Sequence, residues 1–69
     1  MNIEYYLGTY LKVEFIDGII LQGEVFTFEY SANTESGLDE LTLTPDSGKL
    51  RGRNVYFNES EVKSIEVLD

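Results

Sequence analysis

Apolar side chains fall on every second position over residues 11–15, stop at Asp17-Gly18, and resume in a longer alternating run over residues 19–30. A period of two marks a half-buried strand, because successive side chains of an extended chain point to opposite faces. Asp-Gly suits the turn between the runs, since both positions tolerate positive φ and the resulting twist matches that of the flanking strands. The chain is therefore expected to open its sheet with a β-hairpin. In the first run Leu11, Val13 and Phe15 share one face and Lys12 and Glu14 the other. In the second, Leu21, Gly23, Val25 and Thr27 oppose Ile20, Gln22, Glu24, Phe26 and Phe28, so both faces carry apolar groups. A long strand of that kind is expected to bend and serve two parts of one core, with Gly23 permitting the bend.

The remaining segments extend this pattern. Ile3, Tyr6, Leu7 and Tyr10 recur at spacings of three and four, which predicts a short N-terminal helix capped by Asn2. Residues 31–39 are polar and turn-rich, and Leu41-Thr42-Leu43-Thr44 alternates up to the sole proline, Pro45. Val55-Tyr56-Phe57, the polar turn Asn58-Glu59-Ser60-Glu61 and an apolar run over residues 62–68 complete five strands. The expected buried set is Val13, Phe15, Leu21, Val25, Leu41, Leu43, Phe57, Ile65 and Val67.

With 69 residues, 42% of them hydrophobic, the chain supports one core, so residues 1–69 are read as a single domain. A domain of this size removes only about 60% of its unfolded surface from water, which favours association with further copies of itself. Cysteine and histidine are absent. That leaves no disulfide, no thiolate or imidazole metal site and no Cys or Ser-His nucleophile, so neither an enzyme nor a cofactor-bearing protein is expected. No apolar run approaches the roughly 20 residues of a membrane helix, and the first residues lack the pattern of a secretory signal; a cytoplasmic protein that meets no membrane is expected. Thirteen acidic against five basic residues give a net charge of −8, which opposes nucleic acid at long range. Three of those five basic residues, Lys49, Arg51 and Arg53, nevertheless cluster within residues 49–53.

Leu7-Gly8, Leu11-Lys12-Val13-Glu14-Phe15, Asp17-Gly18, Leu21-Gln22-Gly23-Glu24-Val25 and Phe28-Glu29, taken in order, resemble the first Sm motif of the Sm-like (LSm) family. The resemblance covers about the first half of the chain, and it implies an all-β fold: a five-stranded, strongly bent antiparallel small barrel. An SH3-like barrel is the alternative with the same strand count. RNA-binding members carry an asparagine four residues after the acid, and Asn33 stands at that distance from Glu29; residues 34–39 then depart from the pattern by delaying the third strand. The second half admits two registers. In one, Leu50-Arg51-Gly52-Arg53-Asn54-Val55 resembles the second Sm motif, and Arg51 would stack on a base. In the other, Val55-Tyr56-Phe57 is the fourth strand, residues 58–61 a tight turn, and the basic segment a loop before strand four. Burial favours the second, because the first leaves Val62, Ile65, Val67 and Leu68 without a core, at several kcal/mol by the usual area scaling.

The family implies rings of about five to seven copies, joined by the fourth strand of one and the fifth of the next, and often single-stranded RNA at the pore. Val55, Tyr56, Phe57, Ile65 and Val67 would then line the subunit contact. Tyr30, Asn33, Lys49, Arg51 and Arg53 would form the RNA site, by stacking, base-edge hydrogen bonds and phosphate contacts. The competing expectation is an acidic protein-interaction module that assembles and binds no nucleic acid.

Overall fold

The computed structural model describes residues 3–68. They form one five-stranded antiparallel sheet with β1 at Tyr10–Phe15, β2 at Ile20–Glu29, β3 at Glu40–Pro45, β4 at Val55–Asn58 and β5 at Val62–Val67. The spatial order is β4-β3-β2-β1-β5. β1 alternates as expected, with Leu11, Val13 and Phe15 buried. The turn to β2 closes as the Gly18 N–H donates to the Phe15 carbonyl (3.0 Å) and the Ile19 N–H to Asp17 Oδ1 (3.0 Å). Gly18 sits at φ 92°, a conformation that a side chain would strain.

β2 belongs to two ladders. Ile20 to Glu24 pair with β1, and Gly23 to Glu29 pair with β3, so the strand turns from one partner to the other around Gly23. A register shift between Val25 and Thr27 adds to the irregularity and leaves Phe26 exposed. At the far end Asn58 and Glu61 form a capping box around the 3₁₀ turn Glu59–Glu61: Asn58 Oδ1 accepts from the Ser60 N–H (2.9 Å) while Glu61 Oε1 accepts from the Asn58 N–H (3.1 Å). β4, this turn and β5 follow the second of the two sequence registers, and burial of Val62 supplies the reason.

The core consists of Ile3, Leu11, Val13, Phe15, Val25, Leu41, Leu43, Phe57 and Val62. Phe15 of β1 meets Phe57 of β4 edge to face at 5.3 Å, so strands three places apart in the sheet order pack on one another.

Three expectations need correction. The sheet is not closed into a barrel: among the described residues β4 pairs only with β3 and β5 only with β1, which leaves each with a free edge. The N-terminal helix is a single 3₁₀ turn, Ile3–Tyr6, in which the Leu7 N–H reaches the Glu4 carbonyl; Gly8 at φ 82° ends it, and Asn2 lies outside the described residues. Of its apolar residues, Ile3 is buried and Leu7 exposed. In the expected buried set Leu21 is half-buried because β2 has no β3 partner before Gly23, and on the edge strand β5, covered on one side only, Ile65 is half-buried and Val67 is 48% exposed. No helix among the described residues is long and apolar enough to cross a membrane.

Candidate functional site

Tyr30 leaves the end of β2 with its ring edge-on to Phe28 at 4.9 Å, and it is largely exposed. Asn33 ends the 3₁₀ turn Ser31–Asn33, where its N–H donates to the Tyr30 carbonyl (2.8 Å) and its side chain is exposed. The rest of this connection is tied to itself by polar side chains. The Ser31 N–H donates to Asp39 Oδ1 (2.9 Å), Thr34 Oγ1 to the Leu38 carbonyl (2.8 Å) and Ser36 Oγ to Glu40 Oε2 (2.9 Å). Beside it lies an open cavity of about 460 Å³ bordered by Ile3, Glu4, Ser31, Leu38, Asp39 and Glu59, which carries acids and no base. Among the described residues no group of His, Cys, Asp or Glu is placed to hold a metal ion.

Lys49, Arg51 and Arg53 stand on the 46–54 connection between β3 and β4. Successive tight turns shape it: the Arg51 N–H donates to Gly48 (3.3 Å), the Gly52 N–H to Pro45 (2.8 Å) and the Arg53 N–H to Leu50 (3.0 Å). Gly48 and Gly52 take φ 79° and 76°, which only glycine adopts without strain. Thr44 Oγ1 donates to Asn54 Oδ1 (3.0 Å) and ties the end of the loop back to β3. All three basic side chains are exposed, and among the described residues none makes an ion pair.

The structure does not gather the expected RNA-binding residues into one place. Tyr30 and Asn33 precede β3 and the basic loop follows it, so a six-residue strand, about 17 Å long, lies between them. Nor does Arg51-Gly52 occupy the turn between β4 and β5; Asn58, Glu59, Ser60 and Glu61 are there instead, two of them acidic.

The residues expected at a subunit contact divide differently. On β4, Tyr56 is 62% exposed and Val55 half-buried; on β5, Val67 is exposed and Ile65 half-buried. Phe57 is 2% exposed and packs inward, so it offers a neighbour its backbone and not its ring. Next to the free edge of β4 is a cavity of about 160 Å³ whose walls include Ile19, Leu21, Leu50, Val55 and Tyr56. Ile16, Ile19 and Ile20, all more than half exposed, extend the apolar surface around the β1–β2 turn. Sequence reasoning missed this surface, although three isoleucines flanking an Asp-Gly turn, where polar residues are usual, signal it. In comparisons with known proteins, no family model, no curated protein and no solved structure matches the chain.

Proposed function

We propose that this chain is an Sm-like module, a bent, open five-stranded sheet whose function is to join copies of itself into a closed homo-oligomer that serves as an acidic scaffold for protein partners. The observation that carries this reading is the pair of free edges. The sheet ends on β4 and β5, each with unpaired backbone groups and each with exposed apolar side chains, Tyr56 on one and Val67 with Leu68 on the other. Natural sheets protect such edges with charge, proline or irregularity, and β4 has none of these within Val55–Asn58. Adding β5 of a neighbour to β4 satisfies both backbones and covers the cavity at Leu21, Leu50 and Val55. A fixed rotation at each contact closes the series into a ring, where a straight repeat would make a fibre. The bend of β2 around Gly23, its sharing between two ladders and the three-residue turn before β5 support the Sm-like form of the domain.

A second reading, binding of single-stranded RNA by that ring, is favoured by the three exposed cations of the 46–54 loop, none of which makes an ion pair among the described residues. It places the RNA on that loop and leaves Asn33 out. Light scattering on protein at tens of micromolar tests the assembly. A mass several times the 7.9 kDa of one chain is expected, and a monomer overturns the proposal.

A further inference from the structure

Strand β2 is paired on one side only over its first residues. β3 ends at Pro45, so its ladder with β2 starts at Gly23, and the last bond on that side runs from the Asp46 N–H to the Gln22 carbonyl (3.0 Å). The bond from the Phe15 N–H to the Ile19 carbonyl (2.9 Å) fixes the alternation with β1: the backbone groups of Leu21 and Gly23 point towards β1, and those of Ile20 and Gln22 point away from it. Continued at the same register, the β3 ladder would set Gly48 opposite Ile20. Gly48 instead takes φ 79°, and the chain leaves the sheet until the Gly52 N–H returns to the Pro45 carbonyl (2.8 Å). Among the described residues the backbone N–H and carbonyl of Ile20 therefore have no partner on that side. The gap is an open cavity of about 380 Å³ between the start of β2 and residues 47–50. Ile19, Ile20, Leu21 and Leu50 line it, Lys49 is the charged residue beside them, and no carboxylate borders it. Val55 and Tyr56 do not line it, so it is separate from the surface of β4.

We propose that this slot binds an extended segment of a protein partner that is both apolar and acidic. The segment adds to β2 at Ile20, sets an apolar side chain against Ile19, Leu21 and Leu50, and brings a carboxylate to Lys49. Strand addition of this kind draws affinity from main-chain bonds and specificity from the pockets beside the strand. The volume lies within the roughly 300–1,000 Å³ typical of binding sites. Charge selects the partner's sign. Over most of its surface a chain of net charge −8 repels acids, but Lys49, Arg51 and Arg53 stand on the loop that forms one wall of the slot, and their field acts within a Debye length of about 8 Å. The proposal gives the scaffold reading above its class of partner, yet it needs no oligomer: the mass in solution tests the assembly, and peptide binding tests the slot.

Fluorescence anisotropy with the labelled, end-blocked peptide Glu-Glu-Leu-Val-Leu-Glu-Glu tests this, beside the same peptide with lysine flanks and a version N-methylated at the valine, which lacks that backbone donor. Amide NMR spectra of the whole chain locate the contact. Saturable binding of the acidic peptide is expected, with shifts at Ile20, Leu21 and Leu50 and slower hydrogen exchange at the Ile20 amide. Binding about tenfold weaker is expected for both control peptides and for Lys49→Glu and Leu50→Ser, surface variants whose folding circular dichroism verifies. No binding at about 1 mM peptide, equal binding of either control peptide, or shifts that leave Ile20 unmoved overturns the proposal. Shifts at Ile20 that grow with protein concentration alone assign the slot to a second copy, and shifts produced by a U-rich oligonucleotide but not by the peptide assign it to nucleic acid; both overturn the proposal. A monomeric protein that binds the acidic peptide at Ile20 supports the slot and overturns the edge-pairing reading alone.

Discussion

Gly23 of β2 lies so close to Thr44 of β3 that a Cβ on it would stand 2.0 Å from the Thr44 carbonyl oxygen and 2.9 Å from the Pro45 Cα. The obstacle is backbone on a central strand, so it cannot be relieved by a rotamer change. Gly23→Ala is therefore expected to destabilise the domain, and Gly23→Val to do so by about 3 kcal/mol or more, through the strain of overpacking. Urea unfolding midpoints equal to that of the parent would remove the close approach of β2 and β3 from the fold.

Asn58 is buried, and its side-chain oxygen holds the turn that separates the two edge strands by accepting from both the backbone N–H and the hydroxyl of Ser60. Loss of such a cap costs about 1–2 kcal/mol. Asn58→Ala is expected to lower the unfolding midpoint accordingly, while Asn58→Asp retains most of the stability because a carboxylate accepts the same bonds. Equal losses in the two variants would show that the amide has another role.

Tyr56 and Phe57 are adjacent on β4 and face opposite ways, which separates folding from assembly. Phe57→Ala removes the ring that packs on Phe15 and is expected to cost about 3–5 kcal/mol, enough to unfold much of a domain this small. Tyr56→Ser is expected to leave the circular dichroism spectrum and the unfolding midpoint of the monomer within about 0.5 kcal/mol, yet to lower the mass seen by light scattering. A Tyr56→Ser protein with the parent's mass would take β4 out of the contact.

Much of the fold was legible because its causes are local. The alternation around Val13 and Val25, the Asp17-Gly18 turn and the need for glycine at position 23 follow from the period and chemistry of neighbouring residues, and the register of β4 and β5 followed from giving Val62 a core to enter. What was not legible depends on pairing between distant strands. Whether β4 and β5 meet is decided by the curvature of the whole sheet, and Val67 reads as core until its strand proves to be an edge. The RNA-binding set was assembled by analogy of motif, and the position of Arg51 before β4 instead of after it separated that set along β3.

The placement of the cations also decides what nucleic acid should do. Lys49, Arg51 and Arg53 face solvent on one loop, whereas Tyr30 and Asn33 sit at the other end of β3, on either side of Ser31, which borders a cavity with Glu4, Asp39 and Glu59. A strand stacked on Tyr30 would bring its phosphates towards those acids, and with a net charge of −8 there is no long-range attraction to offset the repulsion. Short U-rich and A-rich oligonucleotides are therefore expected not to bind the wild-type protein even in about 50 mM salt, where phosphate contacts are at their strongest. Fluorescence anisotropy on wild type, Arg51→Ala and Asn33→Ala makes the comparison. Binding that Arg51→Ala weakens and Asn33→Ala does not, with a shallower salt dependence in the arginine variant, would replace the scaffold reading with RNA held on the basic loop. Binding that both substitutions weaken would mean that the two ends of β3 from neighbouring copies meet in one site, and the closed assembly would then have to bring the acidic and basic loops of different subunits together.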